Sequence, residues 1–188
     1  MADGRAAILT PELRTPRLLL RAHRAADLDA CAAMWASPLV TKHIGGRPSS
    51  RGETWLRILQ YAGLWTILGY GYWAVEELDG GAFVGDVGFA DFCREIQPPI
   101  RDLPEAGWAL DPRFAGRGYA TEALRAALTW ADAGLAADRS VAIIAPENVA
   151  SIRVAEKSGY RPTGQTEYKN NPILMFARPR AGDYDNRR

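Results

Sequence analysis

The run Leu110-Asp-Pro-Arg-Phe-Ala-Gly-Arg-Gly-Tyr-Ala-Thr-Glu-Ala-Leu124 constrains this chain more than any other stretch. A short apolar segment, Trp108 to Leu110, stops at Asp111-Pro112. A loop with two glycines and two arginines follows, and a helical pattern begins near Tyr119. In order, these read as a strand, an anion-binding loop and a helix N-terminus. Unpaired N–H groups at a helix start point at whatever lies before them, and the helix dipole favours negative charge there. Gly116 and Gly118 carry no Cβ, so a ligand can approach the backbone closely. Arg113 and Arg117 add permanent positive charge suited to phosphate.

Several loops have this outline. A nucleotide P-loop needs Lys-Ser/Thr after its last glycine, where this chain has Tyr119-Ala120. A Rossmann dinucleotide loop would use Gly116 and Gly118, but its third glycine falls on Thr121. Asp111 to Ala115 also intervene between strand and first glycine, where Rossmann loops turn at once. The acetyl-CoA loop, Arg/Gln-x-x-Gly-x-Gly/Ala, is matched at every specified position by Arg113-Phe-Ala-Gly116-Arg-Gly118. For this stretch alone, a tight glycine turn into an ordinary helix is the plain alternative.

Three segments then occur in a set order: Glu105-Ala-Gly-Trp-Ala-Leu-Asp-Pro112, the loop with Tyr119-Ala-Thr-Glu-Ala-Leu124, and Asn148-Val-Ala-Ser151-Ile-Arg-Val-Ala-Glu-Lys-Ser-Gly-Tyr160. Together with Thr15-Pro-Arg-Leu-Leu-Leu-Arg21 and Asp27, they resemble the GCN5-related N-acetyltransferases (GNAT), in the branch that includes the ribosomal-protein alanine acetyltransferases. The resemblance runs from about residue 13 to 178. It implies a mixed α/β fold: a mostly antiparallel sheet of about seven strands, a splayed parallel central pair and flanking helices. It also implies acetyl-CoA as cosubstrate, with no metal. The pyrophosphate would lie on residues 113–120, with Thr121 adding a hydroxyl. Backbone amides near Trp108, Ala109 and Leu110 would meet the pantetheine arm and acetyl carbonyl. Asn148 would face the pantetheine, and Ser151 would lie near the sulfur as the group that supports the leaving thiolate.

Acetyl transfer to an amine also needs a proton acceptor. Glu105 is the candidate base, since a carboxylate on a central strand is unusual unless functional or paired. It shares a strand face with Gly107 and Ala109. The alternative is an ion pair with Arg101 or Arg161. His43 is a rival base in a loop beside the expected acceptor pocket, and His23 reads as structural. Tyr160, a residue type the family uses as an acid, lies past the helix end and ranks below Ser151. Segments 36–52 and 91–103 would build the acceptor pocket, with Trp35, Phe92, Asp91, Glu95 and Asp102 as possible liners. The acceptor itself, a protein N-terminal amine or a small-molecule amine, is not legible. Neither is monomer against homodimer.

The totals agree with one globular domain spanning 1–188, with a polar tail over 179–188. The net charge of +1 gives no electrostatic case for nonspecific nucleic-acid or membrane binding. Cys31 and Cys93 form no metal-ligand spacing and read as buried thiols. The start of the chain lacks the pattern of a signal peptide and no apolar run is long enough to span a bilayer, so a cytoplasmic protein is expected. Two readings of other classes compete: a coenzyme-A-binding sensor without turnover, and a Rossmann-type dinucleotide domain, against which the antiparallel strands before the loop argue.

Around the motif, Arg17–Arg21 reads as the first strand. Helix follows from Ala25, with Leu28, Cys31 and Trp35 on one face and Pro38 closing it. A second helix over 50–68 would turn Trp55, Ile58, Leu59 and Ala62 inward. Strands over 72–78 and 82–92 form a hairpin about Asp79-Gly-Gly81. Strand 105–110 feeds the loop, its helix follows, and 140–145 is a buried parallel strand. Asn148 caps a short helix that Gly159 ends. Strands near 160–168 and 172–178 complete the sheet.

Overall fold

The computed structural model describes residues 10–181. The sequence readings for the first nine residues and for the tail beyond Ala181 lie outside that range. The strands are β1 (Leu13–Arg14), β2 (Leu18–Arg21), β3 (Tyr72–Glu77), β4 (Phe83–Ala90), β5 (Glu105–Leu110), β6 (Arg139–Ile144), β7 (Arg161–Tyr168) and β8 (Asn171–Pro179). The helices are α1 (Leu28–Trp35), α2 (Pro38–Thr41), α3 (Arg51–Leu68), α4 (Tyr119–Gly134) and α5 (Val149–Lys157). All the strands join one sheet in the order β1-β2-β3-β4-β5-β6-β8-β7. Every neighbouring pair is antiparallel except β5 with β6. The eighth strand beyond the expected seven is β1, whose two residues pair with Leu19 and Leu20.

Strand alternation sorts the side chains between two faces. Trp73, Val75, Val87 and Phe89 pack against Ala123, Leu124, Ala127 and Leu128 of α4. Tyr72 and Ala109 face the other way, toward α1 and α3. Trp65, Trp73 and Trp130 meet edge to face at 4.7–5.3 Å, closing the first core where α3 and α4 approach each other. Such pairs add roughly 0.5–1.5 kcal/mol beyond the area they bury.

Two local expectations change. The buried residues of α3 are Thr54, Ile58, Tyr61 and Trp65, while Leu59 is 48% exposed and Ala62 is exposed. The helix is rotated so that Tyr61 stacks on Tyr72 with ring centroids 4.3 Å apart. Thr54 is buried because its hydroxyl donates to the Ser50 carbonyl at 3.0 Å. Both stripes have helical spacing, so periodicity alone does not choose between them. Pro38 does not close α1, which ends at Trp35. It opens α2, a first-turn position where a missing N–H costs nothing.

Candidate active site

The glycine loop is held from three sides. Asp111 caps the turn after β5 by accepting from the Arg113 amide at 2.9 Å, and its carboxylate also pairs with the Arg113 guanidinium at 2.7 Å. Arg117 pairs with Glu77 at 3.0 Å, and the Tyr119 hydroxyl donates to the same carboxylate at 2.7 Å. Arg17 donates to Glu122 at 2.7 Å and to the Arg117 carbonyl at 3.0 Å, tying β2 to the loop. The Arg113 and Arg117 side chains are 73% and 52% exposed. Ion pairs that open to water are worth only about 0–1 kcal/mol and exchange readily for a phosphate.

Gly116 and Gly118 take φ of +77° and +80°, a region that L side chains enter only with strain. Gly118 is the residue before α4, and no side chain caps that helix. The Glu122 amide already bonds the Gly118 carbonyl. The amides of Tyr119, Ala120 and Thr121 therefore have no intrahelical acceptor. An uncapped first turn beside glycines is the arrangement an anionic ligand needs, so the residues present fit a pyrophosphate.

Next to the loop the sheet splits. β5 and β6 are in register only at Glu105 with Val141, where the Val141 amide donates to the Pro104 carbonyl at 3.0 Å. Beyond that pair they part. A cavity of about 750 Å³ opens there, with Gly107, Trp108 and Ala109 on one wall and Ile143, Ile144 and Ala145 on the other. Asn148 and Ser151 also line it, whereas Leu110 and residues 113–121 lie outside it. Asn148 is the N-cap of α5, its Oδ1 accepting from the Ser151 amide at 3.1 Å. The Ser151 hydroxyl forms no hydrogen bond among the described residues, and Asn148 keeps its side-chain N–H₂.

Glu105 also lines the cavity and is 6% exposed. Its partner is neither Arg101 nor Arg161. Arg94 holds both carboxylate oxygens, at 2.6 and 2.9 Å. The Arg94 guanidinium lies 4.8 Å from the rings of both Phe92 and Tyr168. Burial raises the Glu105 carboxyl above its ordinary range, with Arg94 pulling the other way. A Cβ added to Gly107 would stand 1.9 Å from the Tyr72 hydroxyl, so the glycine makes room for that tyrosine.

Trp35, Phe92 and His43 line the cavity as the sequence suggests. Asp91, Glu95 and Asp102 do not. Asp91 instead braces its own loop, accepting from the amides of Cys93 at 2.7 Å and Asp102 at 3.0 Å. Tyr160 is buried with its hydroxyl 2.7 Å from Ser140 Oγ, outside the cavity, and burial raises its pKa. Both cysteines are free. Cys31 is buried as expected, but Cys93 is exposed.

Behind Trp35 is a polar cluster within the core. Asp86 Oδ2 accepts from the Trp35 indole at 2.8 Å, and Oδ1 lies 3.5 Å from His23 Nε2. Burial pushes the Asp86 carboxyl up to about 7 and His23 down to about 4, so near neutral pH the histidine is uncharged. Sequence reasoning missed Asp86, Arg57, Tyr72 and Arg94. Each stands in a different element, and no spacing links them.

An uncapped helix start after a strand that splits from its neighbour suits an extended ligand with one anionic end. An acetyltransferase (GNAT) domain model matches residues 17–161, and the chain belongs to that family of N-acetyltransferases. A solved GnaT-family acetyltransferase from Bordetella pertussis is 30% identical, with a TM-score of 0.79, over 90% of this chain and 99% of that one. YkkB of Bacillus subtilis is 36% identical over 112 residues, 58% of this chain and 63% of that protein. A solved ribosomal L7/L12 α-N-protein acetyltransferase, RimL, in complex with coenzyme A is 20% identical, with a TM-score of 0.70, over 90% of this chain and 98% of that one, a likeness of fold. Among the described residues no helix is long and apolar enough to cross a membrane.

Proposed function

We propose that the protein transfers acetyl from acetyl-CoA to a primary amine directly, within a complex of enzyme and both substrates. The single observation that carries this reading is that β5, which leaves β6 after one pair, runs straight into the loop that opens the uncapped start of α4. The amides of residues 119–121, with Arg113 and Arg117, hold the pyrophosphate. Backbone groups of Trp108 to Leu110 orient the pantetheine and the thioester carbonyl, and the Asn148 side chain contacts the arm. Acetyl-CoA supplies the acyl group and a thiol leaving group.

Glu105 attracts the ammonium form of the acceptor and then takes its proton, directly or through a water. The amine nitrogen bonds to the acetyl carbon as the C–S bond breaks. The Ser151 hydroxyl donates to the sulfur as negative charge develops there, an interaction stronger in the transition state than in the ground state. A thermal-shift panel of coenzyme A, acetyl-CoA, NAD and ATP, followed by acetyl-CoA turnover on an amine panel, tests the reading. Stabilisation by acetyl-CoA with amine-dependent thiol release is expected. Binding without turnover would make the protein a sensor, and a preference for NAD would make it a dinucleotide domain.

A further inference from the structure

The cavity is unevenly charged. Lys42, Arg57, Arg94 and Lys169 line it, against Glu105 and Glu147. The cations come from the segment after α2, from α3, from the β4–β5 loop and from the β7–β8 turn. None comes from the loop assigned to the pyrophosphate, so this charge is available to the acceptor. Glu105 and Arg94 pair with each other, which leaves Lys42, Arg57 and Lys169 against Glu147.

Of these three, Arg57 is the one fixed in place by packing, and the carboxylate near it is Asp86 in the core. Its guanidinium lies 3.8 Å from the centroid of the Trp35 ring, a stack that holds the plane in place. Its Nε is buried with no hydrogen-bond partner. No ion pair among the described residues includes it. The carboxylate behind the same ring, Asp86, is turned to the Trp35 indole and to His23. A stacked arginine that lines a cavity and makes no ion pair among the described residues is a receptor for a planar or tetrahedral anion. A second ammonium there would meet like charge.

We infer that the acceptor is a primary amine whose non-reacting part carries a carboxylate or phosphate, and that Arg57 receives that group. The inference rests on the acetyltransferase reading above and narrows its substrate class. It sets polyamines aside.

The test measures thiol release from acetyl-CoA with matched acceptors. One series is 4-aminobutyrate, 4-aminobutyramide and 1,4-diaminobutane. A second is the C-terminal amides of alanyl-glutamyl-glutamate, alanyl-glutaminyl-glutamine and alanyl-lysyl-lysine, so that only the side chains differ in charge. A third sets 2-aminoethyl phosphate beside ethanolamine. In at least one series the anionic member is expected to exceed the neutral one tenfold or more in kcat/KM, with any member that carries further ammonium groups lowest. The series that responds separates a small molecule from a peptide N-terminus. Arg57→Gln is expected to lower the anionic member to the level of the neutral one, mainly through KM. Arg57→Lys should fall between, and it serves where the Gln variant fails to fold.

Neutral or cationic members turned over as well as the anionic ones would overturn the inference and leave the acetyltransferase reading standing. So would an anionic preference that survives Arg57→Gln. If acetyl-CoA binds but no member is turned over, calorimetric titration of the same compounds into the protein loaded with coenzyme A decides, and equal or absent binding of the anionic members overturns it. Failure to bind acetyl-CoA at all defeats the acetyltransferase reading and this inference with it.

Discussion

The coenzyme loop and the acceptor side of the cavity are built in opposite ways. The loop takes its conformation from neighbours in sequence: Asp111 caps Arg113, two glycines turn the chain, and α4 starts uncapped. In the proposed reading it works largely through backbone, and its side-chain ion pairs open to water. The acceptor side is assembled from α1, α3, the β4–β5 loop, β5 and the β7–β8 turn. In the proposed reading it works through side chains, and its ion pair of Glu105 with Arg94 is largely buried. Local backbone geometry can be carried by a short motif. A pocket of distant side chains cannot.

The difference sets where each substitution is felt. On the acceptor side Glu105→Gln has the largest expected effect, about a hundredfold or more in kcat, since a positioned general base is worth about 10²–10⁴. It also leaves Arg94 without its counter-charge. Glu105 accepts a proton only when ionised, and burial places its pKa above the ordinary value. Wild-type activity should therefore rise with pH through that raised pKa. In the variant this step disappears, and the residual rate grows as free amine becomes available. A rise in KM with kcat unchanged would reduce Glu105 to steering the acceptor. Wild-type constants from about pH 6 to 9 would remove both roles and turn attention to His43.

Ser151→Ala tests the boundary between the two regions. A loss of roughly threefold to tenfold in kcat is expected, with acetyl-CoA affinity nearly intact, because the hydroxyl acts as charge develops on sulfur. An unaltered kcat at saturating substrates would leave Ser151 as lining only.

The smallest effect concerns stability. Asp86 has its pKa raised to about 7 by burial, so the folded protein binds a proton that the unfolded chain has released above pH ~4. That contribution is full at low pH and is lost as pH rises through about 7. Asp86→Asn keeps an acceptor for the Trp35 indole and cannot ionise. Its Tm should exceed that of the wild type by a few degrees near pH 8.5 and approach it near pH 6. An equal shift at both pH values would show that the carboxyl does not titrate in this range.

The same contrast explains what was legible in the sequence. The bounds of β5, the uncapped start of α4 and the Asn148 cap all follow from residues within a few positions of one another. The split between β5 and β6 came from resemblance, since backbone pairing leaves little trace in side-chain identity. Glu105 was found by type and place, but its partner was not: Arg94 reaches it from a loop that no periodicity describes. The rotation of α3 also escaped, because Leu56, Leu59 and Ile67 are as apolar as the residues it buries, and only the Tyr61–Tyr72 stack selects the face. Arg57 gained meaning only once Trp35 was seen beneath it.

The central claim is that the loop grips only the charged end of the coenzyme while the split sheet takes the arm. Gly118→Val tests it most directly. At φ +80° a β-branched side chain is strained, and it crowds the amides that begin α4. Affinities of wild type and variant should be compared for acetyl-CoA and for acetyl-pantetheine, which lacks the pyrophosphate, with thermal melting as the check on folding. The account predicts more than a tenfold loss for acetyl-CoA, about 1.4 kcal/mol or more, and little change for acetyl-pantetheine. Unchanged acetyl-CoA affinity in a folded variant, or an equal loss for both ligands, would contradict it.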